Sequence, residues 1–114
     1  PTPVLVEGHL YGVTERGLAF GVDSQTGRVV FEEELPVRGA KAFYASVVLV
    51  DKTILAVSRQ AGTFVFEAKP RYTPLQHNVI GGDESDFNAT PAVVDGEIYL
   101  RSNRALYCMA RATG

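Results

Sequence analysis

Phe43-Tyr44-Ala45-Ser46-Val47-Val48-Leu49-Val50-Asp51 and Phe87-Asn88-Ala89-Thr90-Pro91-Ala92-Val93-Val94-Asp95 decide how this chain folds. The two stretches run in register 44 residues apart. Thr2-Pro3-Val4-Leu5-Val6-Glu7 opens the chain as a third copy. A period of this length, built from short apolar runs between turn residues, is that of a four-stranded propeller blade. The expected fold is therefore all-β: antiparallel four-stranded blades forming part of a β-propeller ring. A β-sandwich would explain short strands but not register-matched copies.

Position-by-position alignment extends the match. Leu10-Tyr11, Ile54-Leu55 and Ile98-Tyr99 coincide, and Thr14, Ser58 and Ser102 close the same strand. Glu7-Gly8 and Asp95-Gly96 share a turn position, where an acidic residue before glycine signals a two-residue hairpin. The second copy has Asp51-Lys52 there, a less favourable pair. Copy one reads as strands over 2–6, 9–14, 18–22 and 28–35; copy two as 46–50, 53–58, 63–67 and 73–80; copy three as 90–94, 97–102 and 105–109. The blades are thus expected over about 2–35, 45–80 and, incompletely, 89–110 of one partial propeller spanning 1–114. Val47-Val48-Leu49-Val50 lacks alternation and should be covered on both faces. Glu32-Glu33-Glu34 makes the fourth strand polar, as suits an outer edge.

Composition narrows the function. With 114 residues the chain is one domain at most, and a closed ring needs about four blades or more. A start at Pro1 without Met suits a fragment or processed product. The net charge of −2 and the lack of a basic cluster argue against nucleic acid. No stretch is long enough for a membrane span. Cys108, the single cysteine, lies in an apolar run and is expected to be a buried thiol acting as a small hydrophobe.

The run Gly17-Leu18-Ala19-Phe20-Gly21-Val22-Asp23-Ser24-Gln25-Thr26-Gly27-Arg28-Val29-Val30-Phe31 resembles the signature of the pyrroloquinoline-quinone-like (PQQ-like) propeller repeat. That pattern has a short β run ending in Asp, a Thr-Gly-Lys/Arg turn, then a strand with a docking Trp. Copies two and three lose the Asp…Thr-Gly turn, and Phe31 stands where the family has Trp. The resemblance implies that Phe31 packs between blades without an indole donor. Quinoprotein enzymes of the family stack the quinone on Trp, often opposite adjacent cysteines, and use Ca²⁺ with an Asp base. This sequence has no Trp and no cysteine pair, and nothing in it matches the family's catalytic positions.

Other chemistry is sparse. The acidic loop Gly81-Gly82-Asp83-Glu84-Ser85-Asp86 lacks the ligand alternation of an EF-hand and reads as a solvated connector. His9 and His77 hold non-equivalent repeat positions and read as surface residues, not zinc ligands. Asn88-Ala89-Thr90 fits a glycosylation sequon, but Thr90 aligns with Ser46 at a strand start and reads as structural. In an antiparallel meander, the second-to-third turns and the blade connectors share one rim. That rim collects Glu15-Arg16, Arg59-Gln60, Asn103-Arg104, the connectors 37–41 and 81–86, and the aromatics Phe43, Tyr44 and Phe87. Loops on a rigid scaffold are where binding concentrates. The candidate binding rim is Arg16, Arg59, Gln60, Asn103, Arg104, Tyr44 and Phe87.

These features lead to a non-catalytic propeller segment that serves as a protein-binding or assembly scaffold, with no catalytic, cofactor-binding or metal residues assigned. The alternative is a fragment of a PQQ-dependent quinoprotein dehydrogenase. Non-enzymatic members of the resembled family include the periplasmic propeller lipoprotein of the outer-membrane β-barrel assembly machinery, which implies a periplasmic or otherwise extracytoplasmic setting. The expected partners are a protein or further blades of the same parent chain. Open blade faces also predict self-association, with contacts near Val4, Val6, Leu106, Tyr107 and Met109.

Overall fold

The computed structural model describes residues 1–37, 42–83 and 85–110, with only the backbone of Ala110. Among these residues all regular structure is strand: β1 (Val4–Val6), β2 (His9–Val13), β3 (Leu18–Asp23), β4 (Val29–Glu34), β5 (Val48–Val50), β6 (Thr53–Val57), β7 (Thr63–Glu67), β8 (Pro74–Asn78), β9 (Ala92–Val94), β10 (Glu97–Arg101) and β11 (Leu106–Ala110). They form three antiparallel meanders, β1 to β4, β5 to β8 and β9 to β11, the blades of a β-propeller.

The repeat governs the pairing. Leu5↔Leu10 and Leu10↔Val22 in the first blade become Leu49↔Ile54 and Ile54↔Phe66 in the second. The third blade continues with Val93↔Ile98 and Ile98↔Met109, one residue shorter after its second-to-third turn. Glu7 and Gly8 take φ of 48° and 81°, and Asp95 and Gly96 take 49° and 78°. Two successive left-handed residues match the twist of the flanking strands, which explains the preference for glycine at the second position. In the second blade Asp51 has φ 55° and is followed by Lys52. A β-bulge falls between Gly21 and Val22, and again between Val65 and Phe66, the same repeat position.

Each blade presents one face to the blade before it and one to the blade after. The face of the second blade toward the first carries Ile54, Ala56, Phe64 and Phe66, all buried. Against it the first blade sets Tyr11, Val13, Ala19, Leu35 and Phe31, with Val4 and Val6 at the margin; Tyr72, from the turn before β8 of the second blade, packs beside them. Phe31 meets Phe66 edge-on at 6.4 Å, Tyr72 at 5.7 Å and Tyr11 at 6.1 Å. It lies directly over Gly21, where a Cβ would come within 2.5 Å of its ring. The second junction is leaner: Ala45, Val57, Phe87 and Leu100, flanked by Ile80, Ile98, Tyr107 and Met109. A cavity of about 50 Å³ remains there, lined in part by Val57, Thr63, Ile80, Phe87 and Met109.

Four expectations need correction. Cys108 is exposed, because it pairs with Tyr99 on the outward face of the third blade. Its thiol lies 3.2 Å from a Glu97 carboxylate oxygen, and that hydrogen bond pushes its pKa up. Leu49 is 37% exposed, since β5 ends its sheet and has a strand neighbour on one side only. Val4 and Val6 turn into the first junction, leaving Leu5 outside at 63% exposure. Tyr107 and Met109 turn into the second junction, and Leu106, at 68%, faces away. Strand alternation makes these last two reversals inevitable once the register is set.

Candidate protein-binding rim

The rim begins with three hydroxyl-capped turns. The Thr14 hydroxyl accepts the Leu18 N–H at 3.1 Å, and the Ser58 hydroxyl accepts the Ala61 N–H at 2.9 Å. The Ser102 hydroxyl accepts the Ala105 N–H at 3.1 Å. Short hydroxyl side chains satisfy turn amides in this way without lengthening the loop.

The connectors thread between these turns and are bonded to both sides. Phe43 N–H donates to the Glu15 carbonyl at 3.1 Å, and Phe87 N–H donates to the Arg59 carbonyl at 2.9 Å. In the other direction, Arg59 N–H donates to the Ala42 carbonyl at 2.8 Å, and Asn103 N–H to the Asp86 carbonyl at 2.9 Å. Glu15, Arg59 and Asn103 are equivalent repeat positions, as are Phe43 and Phe87. The rim is therefore a backbone ladder running turn, connector, turn, connector, turn. Just inside it, Thr2 N–H donates to the Ser46 hydroxyl and Ser46 N–H to the Thr90 hydroxyl, each at 3.0 Å.

Side chains add a polar clamp at the second junction. The Arg59 guanidinium donates to Asp86 at 2.7 Å and to Asn88 Oδ1 at 2.8 Å, and it stacks 4.2 Å from the Tyr44 ring centroid. Gln60 Nε2 donates to the second Asp86 oxygen at 2.7 Å. Asp83 accepts the hydroxyls of Ser102 and Tyr107 on one oxygen, and the N–H and hydroxyl of Ser85 on the other. These donors, Ser102 foremost, hold its carboxyl well below the usual aspartate range.

The predicted residues separate into three groups. Arg59, Gln60 and Tyr44 come together around Asp86. Arg16, Asn103 and Arg104 stand exposed on the outer two turns. Phe87 lies below the surface at 9% exposure, stacked 6.1 Å from Tyr107, just as Phe43 sits 6.1 Å from Phe64. Arg38, Gly39, Ala40, Lys41 and Glu84 lie outside the described residues. Sequence reasoning missed the roles of Asp83, Asp86 and Asn88: the acidic loop, read as solvated, uses Asp83 and Asp86 as internal acceptors. The available signal was the repeat, which places Asp86 beside Phe87 and hence beside the turn containing Arg59. Both histidines are packed against rings: His9 stacks 6.1 Å from Tyr11, and His77 lies 4.1 Å from Phe64 and meets the Ala61 carbonyl. Among the described residues no group of three or more His, Cys, Asp or Glu side chains could hold a metal ion, and no helix is long and apolar enough to cross a membrane.

No protein-family model and no curated protein matches the chain. Among solved structures it is similar to BamB from Moraxella catarrhalis, with a TM-score of 0.75 at 20% sequence identity. The match covers 94% of this chain and 32% of BamB, so the chain spans about a third of that protein's length. At this identity the likeness concerns the propeller fold.

Proposed function

We propose that the chain is a segment of a PQQ-like propeller scaffold, with blades over about 2–35, 45–80 and 89–110, that binds a protein partner through its connector rim and performs no catalysis. One observation carries the reading: the backbone ladder from Glu15 to Asn103 holds the rim rigidly and presents Arg16, Tyr44, Asn103 and Arg104 on it. Tyrosine and arginine on a pre-organised frame are the side chains that dominate protein interfaces. The fold shared with BamB supports the reading, and the family resemblance favours an extracytoplasmic assembly role over a dehydrogenase.

Site-specific photo-crosslinking in the native host tests it. A crosslinker at Arg16, Tyr44 or Asn103 should give discrete protein adducts that Arg104→Glu weakens. A crosslinker at Lys52, on the opposite rim, should give none. Adducts of equal yield from both rims, or none from the connector rim, would refute the proposal.

A further inference from the structure

The connector that enters the second blade exposes one large aromatic side chain where further blades do not reach it. Phe43 turns into the core and is fully buried, whereas Tyr44 beside it is 40% exposed. The connector is bonded to the first blade through Phe43 N–H and the Glu15 carbonyl, and to the second through Arg59 N–H and the Ala42 carbonyl. Both of these blades are present, so blades added at the ends of the arc leave Tyr44 open.

The ring is also held in place. The Arg59 guanidinium covers one of its faces, 4.2 Å from the centroid. That guanidinium is fixed in turn by Asn88 Oδ1 at 2.8 Å and by Asp86 at 2.7 Å, and Gln60 braces the second Asp86 oxygen at 2.7 Å. A tyrosine clamped from beneath has little freedom left to lose on binding, which is the property of an interface anchor. The repeat shows that the fold does not require an aromatic ring here, because the equivalent position of the next connector carries Asn88.

The surroundings define what the ring would meet. Arg59 and Asp86 neutralise each other beneath it, so the centre of the patch carries no net charge. Among the described residues the Tyr44 hydroxyl has no hydrogen-bond partner. Covering it without an acceptor would be costly.

We propose that Tyr44 is the anchor of the connector rim and that Asp86 and Asn88 are positioning residues acting on it through Arg59. The partner protein receives the ring in an uncharged recess that holds one acceptor for its hydroxyl. This rests on the reading of the rim as a protein-binding surface and adds which residue carries the affinity. Arg16 and Arg104, exposed on the outer turns, then guide encounter more than they hold the complex.

The test is the yield of the protein adduct formed by a photo-crosslinker at Arg16 in the native host, at expression low enough for yield to follow affinity. Tyr44→Ala should lower it at least about thirtyfold, the loss that marks an anchor. Tyr44→Phe should lower it about two- to tenfold, and no loss there would overturn the acceptor in the recess. Asp86→Ala should lower it about two- to tenfold, the worth of holding one side chain still. Added to Tyr44→Ala, with expression raised to bring the yield into range, Asp86→Ala should have no further effect. A general structural fault would weaken both backgrounds alike, and that result would overturn the positioning role. A smaller loss than thirtyfold in Tyr44→Ala would overturn the anchor and leave the rim reading standing. Absence of any adduct from Arg16 or Asn103 in the parent protein would overturn the rim reading and this proposal with it.

Discussion

Between the first and second blades, Phe31 lies over Gly21 and meets the rings of Phe66 and Tyr72. Between the second and third, Val65 and Gln76 hold the positions of Gly21 and Phe31, and Met109 holds that of Phe66. Gln76 and the rest of β8 are exposed, and a cavity of about 50 Å³ remains. At the rim the contrast reverses, for the clamp of Arg59, Asp86, Asn88 and Gln60 belongs to the second junction. The difference teaches that one repeat can close its junctions by two means. One joint is held by aromatic packing in depth, and the other by directional bonds at the surface. Among the described residues the first carries no ion pair for salt to screen, whereas the Arg59–Asp86 pair of the second is open to screening.

The largest effect expected from breaking this contrast is on the aromatic seats. Phe43 is fully buried, and Phe43→Ala should cost about 3–5 kcal/mol in urea melts. Phe87→Ala should fall at or below about 3 kcal/mol, because its junction is already imperfectly filled. Equal losses would mean that the two joints are packed alike. Next comes Gly21→Val, which writes the residue of the second blade into the first. A Cβ there meets Phe31 at 2.5 Å, so the ring must move, at a cost of about 1–3 kcal/mol by the same melts. A concurrent Phe31→Gln should recover part of the loss if the two positions act as a pair.

Smaller effects belong to the clamp. Arg59→Ala removes an ion pair at 2.7 Å with side chains about a quarter exposed, together with the stack on Tyr44. The expected loss is about 1–2 kcal/mol, partly screened by added salt, and a cycle with Tyr44→Ala separates the two contributions. Asp83 gives the most graded response. Its folded carboxyl titrates below the ordinary aspartate range, so its contribution is present above that range. The contribution is lost as pH falls through the range toward the folded value. Acid unfolding monitored at Tyr107 should therefore become less pH-dependent in Asp83→Asn, with little change at Phe43. An unchanged acid profile would remove Asp83 from the joint.

Much of this was legible in the sequence. The offset of 44 between Phe43 and Phe87 made the two rings equivalent, and the glycines after Glu7 and Asp95 marked their hairpins. Val4, Val6 and Cys108 were misjudged because hydrophobicity says that a strand is apolar, not which of its faces a neighbour covers. Asp83 and Asp86 were misjudged because a carboxylate looks the same in sequence whether water or hydroxyls satisfy it.

What the sequence determined by itself is the repeat and everything local to it: strand length, turn type, and which positions correspond from blade to blade. These follow from side-chain periodicity and backbone sterics, which act over a few residues. What only the tertiary structure decided is the character of each joint. Whether Phe31 finds a ring to meet, or Arg59 a carboxylate, depends on residues 35 and 27 positions away, Phe66 and Asp86. Contacts at that separation exist only after the blades have been set side by side.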